Sequence, residues 1–261
     1  MTIVLHELRR GKIPFIVWTA AISFLLAVSV VVFPEMKGEM DQVSDMFSSM
    51  GAFTSAFGMD KLNFGTLTGY YAIECGNVLG LGGAFFAAVC AAGILSKEEK
   101  ERTAEFLYTH PVARSRFITG KLISVLIRVA ALNIIVFAVA LGATATIGES
   151  IPWKEMCLMH IAHLVLQIEL SGICFGLSSF MTKGSAGAGI GIAALAYALN
   201  ILSNITESLK FLKYITPYGY CDGADIVSNG TLDAGKIAVG AVLCAVGIAS
   251  AYLIYTKKDV K

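Results

Sequence analysis

Six times this chain runs through apolar stretches of the length needed to cross bilayer hydrocarbon, which takes about 20 residues as a helix. The runs lie at 13–33, 69–95, 117–147, 156–180, 186–202 and 235–255. The first, Ile13 to Phe33, contains no Asp, Glu, Lys or Arg. Backbone polar groups have no water to bond in hydrocarbon, so continuous apolar runs of this kind cross as helices. Charged residues make up 15% of the chain and mean hydropathy is +0.72, whereas soluble domains carry about 25% charged residues. The expected fold class is all-α integral membrane: a single domain over 1–261 with six transmembrane helices. The net charge of +1 gives no field to recruit nucleic acid.

Between the second and third runs lies the longest strongly charged segment. Ten of the 26 residues from Ser96 to Lys121 are Lys, Arg, Asp or Glu. Such a segment cannot lie in lipid, so 96–116 is expected in water between two spans. Glu98 to Thr109 can form a short helix, charged at its start, with Phe106 and Leu107 as a small apolar face. Pro111 ends it, because the residue before a proline is pushed out of helical geometry. Arg114 and Arg116 then meet the lipid headgroups.

Six spans put both termini on one side, and Lys and Arg accumulate on the cytoplasmic side. Of the 20 basic residues, 13 fall at the termini, in the charged loop and in the 181–185 turn; 6 fall on the other side, and Arg128 lies within a span. Both termini and the loop are therefore expected in the cytoplasm, in a multi-pass protein of the cell membrane. The first run is too long for a signal-peptide core and lacks an A-x-A site, so we expect it to be retained as a span.

Residues 1–12 read as an amphipathic interfacial helix, with Ile3, Val4 and Leu8 on one face and Glu7, Arg9, Arg10 and Lys12 away from it. Pro34 is expected to end the first run. In the outer segment that follows, Met36, Met40, Met46, Phe47, Met50, Phe53 and Phe57 recur at helical spacing and read as short helices on the leaflet. Gly76 and Gly80 form a small-xxx-small pair, and Gly184, Gly187, Gly189 and Gly191 open the fifth span; both sets favour close helix packing. In the second outer segment, Tyr214, Tyr218 and Tyr220 are expected at the water–lipid boundary. The six cysteines form no CxxC pair and read as small packing residues.

Arg128 and Glu169 are the charges deepest in hydrocarbon, each about 15–17 Å from the inner end of its span. Adjacent antiparallel helices could pair them, either to fix helix register or to line a polar path. His160, His163 and Gln167 share a face of the fourth span and are expected to make interhelical hydrogen bonds rather than hold a metal. No GxxxxGK[ST] phosphate loop occurs, so no nucleotide site is expected in this chain.

The charged loop resembles the cytoplasmic signature of permeases in the type-2 ABC export family. That signature reads here as Glu98 and Glu99, Thr103, Glu105, Phe106 and Leu107, Pro111-Val112-Ala113-Arg114, and Gly120-Lys121. Arg102 stands where the family usually has Gly, and Ala113 where it usually has Ser. The six-span layout, amphipathic start and long first outer segment extend the resemblance over the whole chain. It implies a transport subunit that is not itself an enzyme, with no cofactor of its own. A separate cytoplasmic ABC ATPase would bind ATP and Mg, and a second permease, identical or related, would complete the pathway in the lipid membrane. The loop helix would be the coupling helix, touching the ATPase through Glu98, Glu99, Arg102, Thr103, Glu105, Phe106, Leu107, Pro111 and Arg114. A channel or ion-coupled carrier is the alternative; it would favour several deep carboxylates and inverted repeats, whereas only Glu169 is deep and no repeat is visible. A membrane-embedded enzyme would need a denser catalytic set than His160, His163 and Glu169.

Overall fold

Six long helices carry the six apolar runs, and among the described residues no strand accompanies them. A computed structural model describes residues 2–38, 51–56, 61–97, 113–182 and 185–257. In chain order the elements are α1 (Thr2–Arg10), α2 (Lys12–Lys37), α3 (Ala52–Ala56), α4 (Leu67–Glu74), a π-helical segment (Cys75–Leu81), α5 (Gly82–Ala92), α6 (Arg114–Thr146), α7 (Trp153–Phe180), α8 (Ala186–Ile205), α9 (Leu212–Ile215), α10 (Gly223–Asn229) and α11 (Ala234–Lys257). Helix α4, the π segment and α5 together make the second span, Leu67–Ala92.

Helix α2 shows why composition alone does not orient these spans. It is apolar on every side. One face buries Ile22, Leu26, Val30 and Phe33, while Ile16, Val17, Phe24, Leu25, Val28 and Val31 stay exposed on the other. A stripe of this size facing water would be an interaction patch; on a helix of 26 residues, about 39 Å long, it suits a surface covered by lipid or by another membrane helix. The helix does not end at Pro34 as expected but continues to Lys37. So near a C-terminus the missing N–H removes only one backbone bond, from a turn that flanking contacts hold.

The N-terminal helix is present as α1, but its faces differ from the sequence expectation. Glu7 is buried on the same side as Ile3, Val4 and Leu8, and Leu5 is exposed. The reason is ionic: Glu7 faces two lysines of other elements, and a paired carboxylate can be buried where a lone one cannot. Helical hydrogen bonding runs through the α1–α2 corner, Gly11 N–H to Glu7 O at 3.0 Å and Phe15 N–H to Gly11 O at 3.1 Å.

The closest packing joins the fourth and sixth spans. A methyl on Gly176 would lie 2.5 Å from the carbonyl oxygen of Gly247, and one on Gly247 would lie 2.5 Å from that of Gly172. Only glycine lets the two backbones come this close. Gly189 of α8 packs in the same way on Ala88 O, at 2.6 Å, which fits the expected role of the fifth-span glycines; Gly191 faces open space. The Gly76/Gly80 pair behaves differently. Gly80 and Gly83 leave notches for the side chains of His163 and Gln167, not for another backbone, and nothing lies over Gly76.

The far segment between α8 and α11 tucks into the bundle. Tyr218 and Tyr220 are buried and only Tyr214 is exposed, so two of the three tyrosines expected at the lipid boundary point inward. Buried hydrogen-bond partners draw them in: Tyr218 Oη donates to Gly80 O at 3.4 Å and Tyr220 Oη to Glu169 Oε2 at 2.8 Å. Thr216 fastens the turn, its Oγ1 donating to Ala196 O at 2.7 Å. Of the expected Met and Phe stripe only Met36 has a described side chain, at the exposed end of α2. All six cysteines are free thiols.

Candidate functional site

The stems of the charged loop meet both chain ends at one end of the bundle. Residues 98–112, which include Glu98, Glu99, Arg102, Thr103, Glu105, Phe106, Leu107 and Pro111, lie outside the described residues. The entering stem is pinned where Leu95 N–H donates to Ser178 Oγ at 2.9 Å, at the end of α7. The leaving stem is pinned where Arg114 Nη1 donates to Thr256 O at 3.1 Å, over the last turn of α11. Carbonyls at a helix C-terminus lack intrahelical partners and carry partial negative charge, so a guanidinium satisfies both needs. Phe117 stacks on Tyr255 with centroids 6.1 Å apart, and Thr119 Oγ1 and Tyr252 Oη lie 2.6 Å apart. The stems also touch each other: Lys121 Nζ donates to Ile94 O. The two stems are therefore held by the second, third, fourth and sixth spans.

The two deep charges are not brought together. Arg128 Nε donates to Ser124 O at 3.2 Å, one turn back along α6, and the guanidinium rests against the α1–α2 corner where Gly11 has no side chain. Glu169 instead meets Tyr220 and the bare backbone of Gly240 on α11. Helical side chains lean toward their own N-terminus. Helices α6 and α7 are antiparallel neighbours, so Arg128 leans toward the loop end and Glu169 toward the far end. Matched height on the two helices did not make a pair, because long side chains carried the charges apart.

A buried polar layer lies along α7 on the far-end side of Glu169. Tyr71 Oη and His160 Nε2 are 2.6 Å apart, and Asn133 Nδ2 donates to Gln167 Oε1 at 2.7 Å, so these two residues of α7 make the expected interhelical bonds. His163 Nδ1 lies 2.7 Å from Met159 O within its own helix, with Cys75 Sγ at 3.9 Å. This layer faces the π segment of the second span. A π turn inside an α-helix leaves irregular backbone and recurs at functional sites.

At the far end a small open cleft lies between the second span, α8 and the tucked segment. Asn77, His163, Tyr197, Asn200, Asn204 and Asp222 supply its polar lining. Tyr197 Oη donates to Asn77 Oδ1 at 3.5 Å, while Asn200 Oδ1 is buried with no hydrogen-bond partner. Asp222 is held by Lys213 Nζ at 3.4 Å and accepts from Ala224 N–H at 3.0 Å, so its charge is compensated. Burial pushes the phenols of Tyr218 and Tyr220 and the thiol of Cys221 up from their ordinary pKa, which keeps all three protonated. The wall is thus polar and close to neutral. The sequence reading had no signal for this cleft, because its lining comes from residues spread over spans and loops. The family model described as ABC-2 family transporter protein matches residues 1–260. No curated protein matches the chain.

Proposed function

The chain belongs to the ABC-2 transporter family, and on that premise we propose that it is the permease subunit of an ATP-driven exporter. It works beside a second permease, identical or related, and a cytoplasmic ABC ATPase that binds ATP and Mg. Both termini and the loop face the cytoplasm, following the distribution of Lys and Arg. The cytoplasmic loop 96–116 would supply the coupling helix, with Glu98, Glu99, Arg102, Thr103, Glu105, Phe106, Leu107, Pro111 and Arg114 as the residues on the ATPase side. Closure of the ATPase pair on ATP pushes this helix and rocks the permeases by rigid-body motion, which exposes the far-end cleft.

The observation that carries this reading is the match of the family model over nearly the whole chain. The loop stems support it, since they are fastened to the second, third, fourth and sixth spans. A push on the loop reaches those spans through hydrogen bonds and packed side chains. Purification of a tagged copy from its native membrane tests the proposal. An ATPase and a second permease should come down with it, and charge reversal at both Glu98 and Glu105 should release the ATPase. Recovery of the chain without an ATPase would overturn the reading.

A further inference from the structure

Lys121 has no exposed side-chain area, although it opens a membrane span. An ammonium is stable there only if its donors are met. Its Nζ donates to Ile94 O, lies 3.4 Å from Glu7 Oε1 and sits 4.8 Å from the centroid of the Phe117 ring. Glu7 is 3% exposed and also faces Lys97 Nζ, at 3.8 Å through its other oxygen. Lys97 belongs to the stem that enters the loop and Lys121 to the stem that leaves it. One carboxylate from a third element therefore stands between the two. Each carboxyl oxygen faces a different lysine, Oε2 toward Lys97 and Oε1 toward Lys121, so the carboxylate is shared between the stems. Helix α1 brings it there by packing Ile3 on Gly120, where a methyl would lie 3.0 Å from Ile3 Cγ2.

We propose that Glu7 is a positioning residue that staples the two stems of the loop and makes α1 move with them. The inference rests on the permease reading above. A displacement of the loop changes the separation of Lys97 and Lys121, and Glu7 has to follow, carrying α1 and the Gly11 corner against Arg128. A carboxylate is required at this position, because an apolar residue would fill the space without responding to either lysine.

The test uses the complex purified with its ATPase, carrying an environment-sensitive fluorophore on a cysteine replacing Leu5, which is 47% exposed on α1. ATP should change the emission of the parent complex. Glu7→Gln, and the double variant Glu7→Leu with Lys121→Met, should remove most of that change. Glu7→Asp should keep most of it. The double variant replaces the ion pair by apolar groups of similar size, so it preserves packing where Glu7→Gln strands a buried ammonium. A full response in the double variant overturns the staple and leaves the permease reading intact. Failure of both variants to assemble, with Glu7→Asp failing as well, makes the pair a folding element and overturns the proposal. A parent complex that recovers no ATPase sinks the permease reading and the staple together.

Discussion

Tyr220 donates its phenolic hydrogen to Glu169 at 2.8 Å, and each residue is no more than 3% exposed. The donor comes from the far segment and the acceptor from the middle of the fourth span. This bond ties the tuck of 206–233 to the core of the bundle. The second carboxyl oxygen, Oε1, is buried with no partner, so Tyr220 is the one hydrogen-bond donor on this group among the described residues.

Tyr220→Phe should therefore cost about 1–3 kcal/mol, the penalty for leaving a buried polar group without its partner. Glu169→Leu in the same background should recover part of that loss, since it removes the stranded group. Thermal unfolding of the detergent-purified protein measures both. Tyr220→Phe unfolding at the parent's temperature would show that the bond does not hold the tuck.

The glycine contact between the fourth and sixth spans makes a sharper distinction. Gly176→Ala and Gly247→Ala each place a methyl 2.5 Å from an opposing carbonyl oxygen, and overpacking of this kind costs about 1–3 kcal/mol. Gly191→Ala meets nothing within 4 Å and replaces glycine inside a helix, so it should be neutral or slightly stabilising. Size-exclusion profiles after graded heating would rank the three. Equal midpoints for Gly176→Ala and Gly191→Ala would contradict the close contact.

Sidedness has its own prediction. In a background lacking the six native cysteines, a cysteine at Asn200, in the cleft, should react with a membrane-impermeant maleimide on intact cells. A cysteine at exposed Arg116 should react only after permeabilisation. The reverse pattern would invert the topology and remove the ATPase from the loop side.

Asp233 precedes the sixth span and accepts from the N–H groups of Gly235 at 2.9 Å and Lys236 at 3.2 Å. The Lys236 N–H, the largest cause, and the Lys236 ammonium hold its carboxyl below the usual aspartate range. A depressed carboxyl stabilises the fold above its unfolded pKa, about 3.9, and that stabilisation is lost as pH falls through the lower folded value. Asp233→Ala should cost about 0.5–2 kcal/mol at neutral pH as a lost helix cap. It should also flatten the acid limb of the stability curve. Parallel acid limbs for variant and parent would argue against a role for this cap.

The spans were legible in the residues because hydrocarbon imposes one demand, continuous apolarity, and Ile13–Phe33 or Ile237–Tyr255 meets it without reference to neighbours. Faces were not legible. Where every side of a helix is apolar, hydropathy does not distinguish lipid from protein, so nothing in the sequence sets Gly172, Gly176 and Gly247 apart from the Gly76 and Gly80 pair. Polar side chains misled for a related reason. Glu7 was assigned to water, and Tyr218 and Tyr220 to the headgroups, because sequence shows a group's polarity without showing its partner. Arg128 and Glu169 were matched by height along their helices, a quantity that neglects the direction in which a long side chain leans. The expected coupling residues from Glu98 to Pro111 fall outside the described residues; of that set only Arg114 can be placed, on the carboxyl end of the sixth span.

Where Gly176 and Gly247 meet backbone to backbone, the fourth and sixth helices have no side chain at the contact to act as a cushion along which to slip. Whatever bending the protein undergoes has to be taken up elsewhere, and the widened turn from Cys75 to Leu81 is the place where a membrane helix already departs from regular winding. The tightest helix contact and the irregular turn thus stand on opposite sides of the fourth span, with the polar layer of Tyr71, His160 and Gln167 facing the turn.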